Sequence, residues 1–234
     1  MVGRAAALLV LGTALGLYYA FHEELWDASL WWDIAFLALV LIPACFALVL
    51  LVRRLPLDHG WFVVALACGA LAFAFHFAGW NGAENFAKLF AVSSLGFWFL
   101  RWFEMLSWVV LVSVIIPWVD AYSVWRGPTK TIVTEHEEVF THFSFAFARP
   151  GEANAANLGL PDLLFFALFL AAAARFELRV GLTWLLMTLS FGATLALAVW
   201  ADLDGLPALP LLSLGFLLAN ADLLWRRAMA ARRA

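Results

Sequence analysis

The sequence predicts an all-α polytopic membrane protein of about eight transmembrane helices. Three observations carry that prediction. Hydrophobic residues make up 65% of the 234-residue chain and charged residues only 13%, against roughly 25% charge in ordinary soluble domains. The mean hydropathy is +0.92. Eight separate stretches approach the roughly 20 mostly apolar residues that a spanning helix needs. The same figures exclude a soluble globule, a disordered chain and a nucleic-acid binder, since a net charge of −3 offers no basic face for phosphates. The two cysteines, Cys45 and Cys68, lie inside apolar runs and read as reduced core residues. Arginine supplies 12 of the 14 basic residues, a bias that hints at a GC-rich prokaryotic genome. The expected location is therefore the cytoplasmic membrane of a prokaryote.

The spans fall at about 5–21, 33–52, 61–80, 86–101, 104–125, 159–176, 180–200 and 207–226. The first resembles a signal peptide with Arg4 as its basic start. Tyr18, however, sits where a small residue should precede cleavage after Ala20, so a retained span is the preferred reading. An even count puts both termini on one side. With the N-terminus inside, Arg4, Arg53, Arg54, Arg101, Arg175, Arg179, Arg226, Arg227, Arg232 and Arg233 are all cytoplasmic, and only Lys88, Arg126, Lys130 and Arg149 lie outside. That split of 10 to 4 follows the positive-inside rule. Trp26, Trp31, Trp32, Trp80 and Trp125 form one interfacial belt, and Trp61, Trp102, Trp184 and Trp225 the other. The outer segment 127–158 is much longer than the other loops, which in a compact protein marks function or disorder. Within it Phe143, Phe145 and Phe147 alternate with Ser144 and Ala146, the period of a short strand or hairpin. The organisation expected is a four-span scaffold over 1–103, a four-span core over 104–226 and a basic tail over 227–234.

Charge at membrane depth costs roughly 2.5–3.5 kcal/mol on insertion scales, so each case needs a reason. Lys88 lies near the outer end of its span and can snorkel. Asp222 lies one turn before Arg226 at the inner end of its span, where an ion pair or helix-end placement accounts for it. His76 has no second helical histidine at its depth, so it reads as hydrogen-bonded packing and a metal or haem site has little support. Asp120 and Asp162 differ. Asp120 is five residues before Trp125 on an outward-running span, about 7–8 Å below its end. Asp162 is three residues past Gly159 on the next, inward-running span, about 4–5 Å deep. The two carboxylates are therefore level on consecutive helices. Singly, Asp162 also reads as a helix cap after Gly159-Leu160-Pro161, and Asp120 as an interfacial residue near Arg126. The last span starts at the same side with Leu206-Pro207-Ala208-Leu209-Pro210. Its two prolines free backbone groups, which the bilayer tolerates where they line a cavity or are buried in protein.

Two carboxylates that share a site share one proton. One then takes a proton from water while the other donates to a carbonyl, as in an aspartic protease. Gly159-Leu160-Pro161-Asp162, followed by Arg175-Phe176-Glu177, resembles the Gly-x-Gly-Asp helix of the presenilin and signal peptide peptidase family and the Arg-Phe-Asp that commonly ends it. Trp118-Val119-Asp120-Ala121-Tyr122 resembles the family's first aspartate segment, and Pro207-Ala208-Leu209 matches its Pro-Ala-Leu motif. The resemblance covers 104–226, in order and approximate spacing, and suggests a compact prokaryotic-type member.

That resemblance implies an intramembrane aspartyl protease, with Asp120 and Asp162 as catalytic dyad and Gly159, Pro161, Pro207, Ala208 and Leu209 shaping the site. It implies no metal or organic cofactor. The partners it implies are the transmembrane helices of substrate proteins, within the lipid bilayer. Val119 stands where the family usually has tyrosine, Pro161 where it has the second glycine, and eight spans replace its usual nine. Under this reading residues 139–147, with Phe143, Phe145 and Phe147, are expected to hold an unwound substrate by strand addition. Three other readings stay open from the residues themselves. They are a catalytically silent relative serving as a binding or scaffold protein, a proton-coupled small-solute transporter, and a prepilin-peptidase-like enzyme. No internal repeat favours the transporter.

Overall fold

The structure is a computed structural model and describes residues 2–55, 60–126, 142–203 and 206–231. Eight helices and one hairpin make up the described chain. They are α1 (Val2–Phe21), α2 (Leu30–Val52), α3 (Trp61–Ala78), α4 (Asn81–Phe99), α5 (Leu106–Arg126), β1 (Ser144–Ala148), β2 (Ala155–Gly159), α6 (Leu160–Arg175), α7 (Val180–Trp200) and α8 (Leu209–Ala231). They fall on the eight apolar stretches. Six of them (α1, α2, α3, α5, α7 and α8) are long and apolar enough to cross a membrane. The other two differ for visible reasons. Helix α4 starts five residues before the apolar stretch predicts and carries Asn81, Glu84, Asn85 and Lys88 in its first turns, while α6 has only 16 residues.

Contacts at the helix ends show the helices alternating in direction. The end of α1, the start of α2 and the start of α4 all bond to the hairpin. At the other end Arg175 of α6 donates to the Leu100 carbonyl just past α4 (2.9 Å), and Arg179 before α7 holds Asp222 of α8 with two bonds of 2.7 Å. Asp222 thus pairs across helices with Arg179, not along its own helix with Arg226.

Helix α6 is the axis of the molecule. Leu163 and every residue from Phe166 to Ala173 are buried. Phe166 stacks on Phe46 of α2 at 4.2 Å between ring centres, and Phe169 on Phe216 of α8 at 4.9 Å. The approach of α4 to α6 is set by Gly96. A Cβ there would meet the Leu164 carbonyl oxygen at 2.6 Å and the Ala167 Cβ at 2.9 Å. Close helix contact through a small residue replaces the hydrophobic drive that lipid removes. Helix α2 carries one wide π turn over Leu37–Leu41, just before Pro43. Proline lacks the N–H of the regular ladder and its ring crowds the preceding turn, so the helix widens there.

The predicted strand is present as Ser144–Ala148 and pairs antiparallel with Ala155–Gly159, Ser144 opposite Gly159 and Ala148 opposite Ala155. The part of the expected strand over 139–141 lies outside the described residues. Phe145 and Phe147 are buried in the core, whereas Phe143 is exposed.

Candidate active site

Strand β2 runs directly into α6, and this junction places Asp162. Gly159 is the N-cap with extended backbone, its own side carrying no capping bond, and Pro161 occupies the first turn, where its missing N–H costs nothing. Asp162 is therefore not the N-cap residue itself, but its carboxylate accepts the backbone N–H of Gly159, so its part in closing the helix start stands beside any chemical role. It lies inside the first turn, where the helix dipole favours a carboxylate. A Cβ on Gly159 would stand 3.1 Å from the Asp162 Oδ2, so a glycine keeps that carboxylate unobstructed.

Asp120 lies on α5 three residues after Pro117, which removes a ladder bond from the middle of the helix. Helix α5 packs on α8 and touches α6. The Asp120 Oδ2 accepts the backbone N–H of Leu209 at 3.0 Å. Leu209 opens α8 after Pro207 and Ala208, so the free backbone expected from the Pro-Ala-Leu segment is found on the first aspartate. All three residues of that segment are buried. Asp120 and Asp162 thus stand on helices that touch, each near the hairpin end. Both are only partly buried. Asp120, Asp162, Gly159, Pro161, Pro207, Ala208 and Leu209 thus converge at the hairpin end of α5, α6 and α8. Tyr122 is exposed on the outside of α5, away from this group.

The hairpin presents two edges of different character. Leu160 N–H donates to the Phe143 carbonyl at 3.1 Å. In an antiparallel ladder this register turns the N–H and C=O of Phe145 and Phe147 toward β2, and those of Ser144, Ala146 and Ala148 toward the far edge. That far edge is taken. The Ala146 N–H donates to Asn85 Oδ1 (2.8 Å), and the Ala146 carbonyl accepts from Asn85 Nδ2 (2.7 Å) and the Tyr19 hydroxyl (2.8 Å). The Ala148 carbonyl accepts from the Tyr18 hydroxyl (2.7 Å). On β2, the outward N–H and C=O of Ala155 and Asn157 have no partner among the described residues. The open edge therefore belongs to β2, which ends at Gly159 against the Asp162 carboxylate, and not to the phenylalanine strand that the alternation singled out.

Several polar residues that seat this hairpin escaped the sequence reading. Arg149, at its turn, binds the buried Asp33 of α2 at 2.9 Å and Glu152 at 2.6 Å. The Gly151 N–H donates to the His22 carbonyl at 2.7 Å. Glu84 on α4 bridges Lys88 (2.6 Å) and His76 (3.2 Å), and the His76 ring lies 4.8 Å from that of His142. Lys88 is thus paired in the protein and does not snorkel, while His76 is hydrogen-bonded as expected but exposed, not packed. The available signal was polarity inside a helix. Asp33 stands on a helix otherwise lined with apolar residues, where a short polar side chain is disfavoured unless it bonds something; Asn85, among the other polar residues that open α4, offered no such contrast.

Against models of known protein families the chain finds no match, and no curated protein matches its sequence.

Proposed function

We propose that this chain is an eight-span aspartyl protease of the presenilin and signal peptide peptidase type, which hydrolyses peptide bonds of substrate transmembrane helices. The observation that carries the reading is that Asp120 and Asp162 stand on the touching helices α5 and α6, with Asp120 bonded to the Pro-Ala-Leu backbone, beside a sheet edge without a partner among the described residues. The arginine distribution supports a cytoplasmic placing of both termini and an outward-facing hairpin.

A pair of carboxylates that shares one proton can run the whole hydrolysis. The ionised member takes a proton from water as the water oxygen attacks the scissile carbonyl, and the protonated member gives its proton to the carbonyl oxygen. The tetrahedral diol then collapses. The C–N bond breaks, the nitrogen takes up the proton held since the first step, and one diol hydroxyl returns its proton to the other carboxylate. Leu209 N–H, on Asp120 Oδ2, fixes that carboxylate's orientation. The β2 edge holds the unwound substrate through main-chain bonds, which ask for an extended backbone and little sequence. This assignment moves the substrate strand from β1 to β2.

The test is the purified protein in liposomes with a single-span model peptide. Mass spectrometry should find new peptide ends inside or at the border of the apolar segment. A reconstituted, folded protein that yields no product from a panel of such peptides overturns the reading.

A further inference from the structure

Asn85 is 6% exposed and stands in the second turn of α4, on the opposite side of β1 from β2. Its carboxamide meets both backbone groups of one residue, Ala146, at 2.8 and 2.7 Å. A carboxamide has the donor and acceptor of a peptide unit. Asn85 therefore acts on β1 as a third strand would, and β1 is bonded to a neighbour on both sides: Asn85 at Ala146, and β2 through Phe145 and Phe147. From β1 the chain of contacts is short. Phe143 holds Leu160, β1 holds β2, and β2 ends at Gly159, against the Asp162 carboxylate.

We infer that Asn85 is a positioning residue for Asp162: by fixing β1 from the α4 side it sets where the β2–α6 junction, and hence the second aspartate, stands relative to Asp120. The inference rests on the protease reading above. It gives the N-terminal helices, which carry neither aspartate, a defined part in the chemistry. Tyr19 supports the same carbonyl but leaves the Ala146 N–H untouched, so Asn85 alone holds both groups.

Asn85→Ala leaves the Ala146 N–H with no acceptor and lets β1 shift. Misplacement of a catalytic group by about 1 Å costs up to about 100-fold in rate. The expected result is a 10- to 100-fold fall in kcat for the model peptide with KM within about threefold of wild type, because the β2 edge still binds. Asn85→Asp sharpens the test. A protonated carboxyl offers the one donor and one acceptor that the amide uses on Ala146, whereas an ionised one turns an oxygen against the Ala146 carbonyl. The titratable groups around it are Tyr19 on α1 and, one residue away, Glu84 with its partners Lys88 and His76. The kcat of Asn85→Asp, divided by that of wild type at the same pH, should rise toward one as pH falls.

Thermal unfolding of each variant in detergent is measured alongside. If wild type cleaves and Asn85→Ala keeps its kcat, the inference fails while the protease reading stands. If Asn85→Ala loses kcat, KM and fold together and Asn85→Asp recovers at no pH, Asn85 is a general support and the inference likewise fails. If wild type itself cleaves nothing, it is the protease reading that has failed.

Discussion

Replacing Arg149 by alanine should destabilise the protein by about 3–5 kcal/mol, the cost of leaving one member of a buried ion pair alone. The size follows from the surroundings of Asp33. It is 1% exposed, its Oδ2 holds the Arg149 guanidinium at 2.9 Å, and its Oδ1 has no hydrogen-bond partner among the described residues. Removing the guanidinium therefore leaves both carboxylate oxygens buried and bare. Asp33→Asn keeps an acceptor for the guanidinium and should cost less, about 1–3 kcal/mol. The double variant Asp33→Ala/Arg149→Ala removes both charges and should be more stable than the sum of its single changes implies, with a coupling of about 2 kcal/mol or more. The assay is reversible unfolding in mixed micelles by a denaturing detergent, followed by helical circular dichroism. An Arg149→Ala protein within about 1 kcal/mol of wild type, or strict additivity in the double variant, would refute the argument that this pair clamps the hairpin to α2.

Other consequences follow from the same geometry. Gly159→Ala places a methyl 3.1 Å from Asp162 Oδ2, so the carboxylate must give by a few tenths of an ångström; kcat should fall roughly tenfold with KM little changed, by the same sensitivity to misplacement. Gly96→Ala forces α4 away from α6, because the new methyl meets a backbone oxygen at 2.6 Å; the detergent titration should show a loss of about 1–3 kcal/mol or more, as overpacking does. Cleavage should follow a bell-shaped pH profile. At low pH both carboxyls are protonated and no base remains, while at high pH both are ionised and no acid remains. A rate that climbs steadily across the range where carboxylates and histidine titrate speaks against the shared proton.

The helices were legible because lipid imposes one simple demand, a long apolar run with its own backbone bonds satisfied. Even the break between the closely spaced fourth and fifth helices could be placed. The start of α4 was less visible, since Glu84, Asn85 and Lys88 look like a loop until one sees that each has a partner in the fold. At the site, Asp120, Asp162 and Pro207-Ala208-Leu209 could be named because carboxylates and paired prolines are conspicuous in so apolar a chain. What the alternation around Phe145 could not tell was which strand edge is open. That depends on partners far away in sequence, Asn85 and Tyr19. The Asp33–Arg149 pair was hidden for the same reason, as 116 positions separate its members.

The most direct measurement compares wild type with Asp120→Asn and Asp162→Asn in liposomes, on one model transmembrane peptide, with product quantified by mass spectrometry. Asparagine keeps the shape of each side chain and removes only the ability to hold or pass the proton. Each single change, in a protein that still folds, should remove cleavage to background. Cleavage retained at a rate near wild type by either variant would contradict the assignment of the dyad.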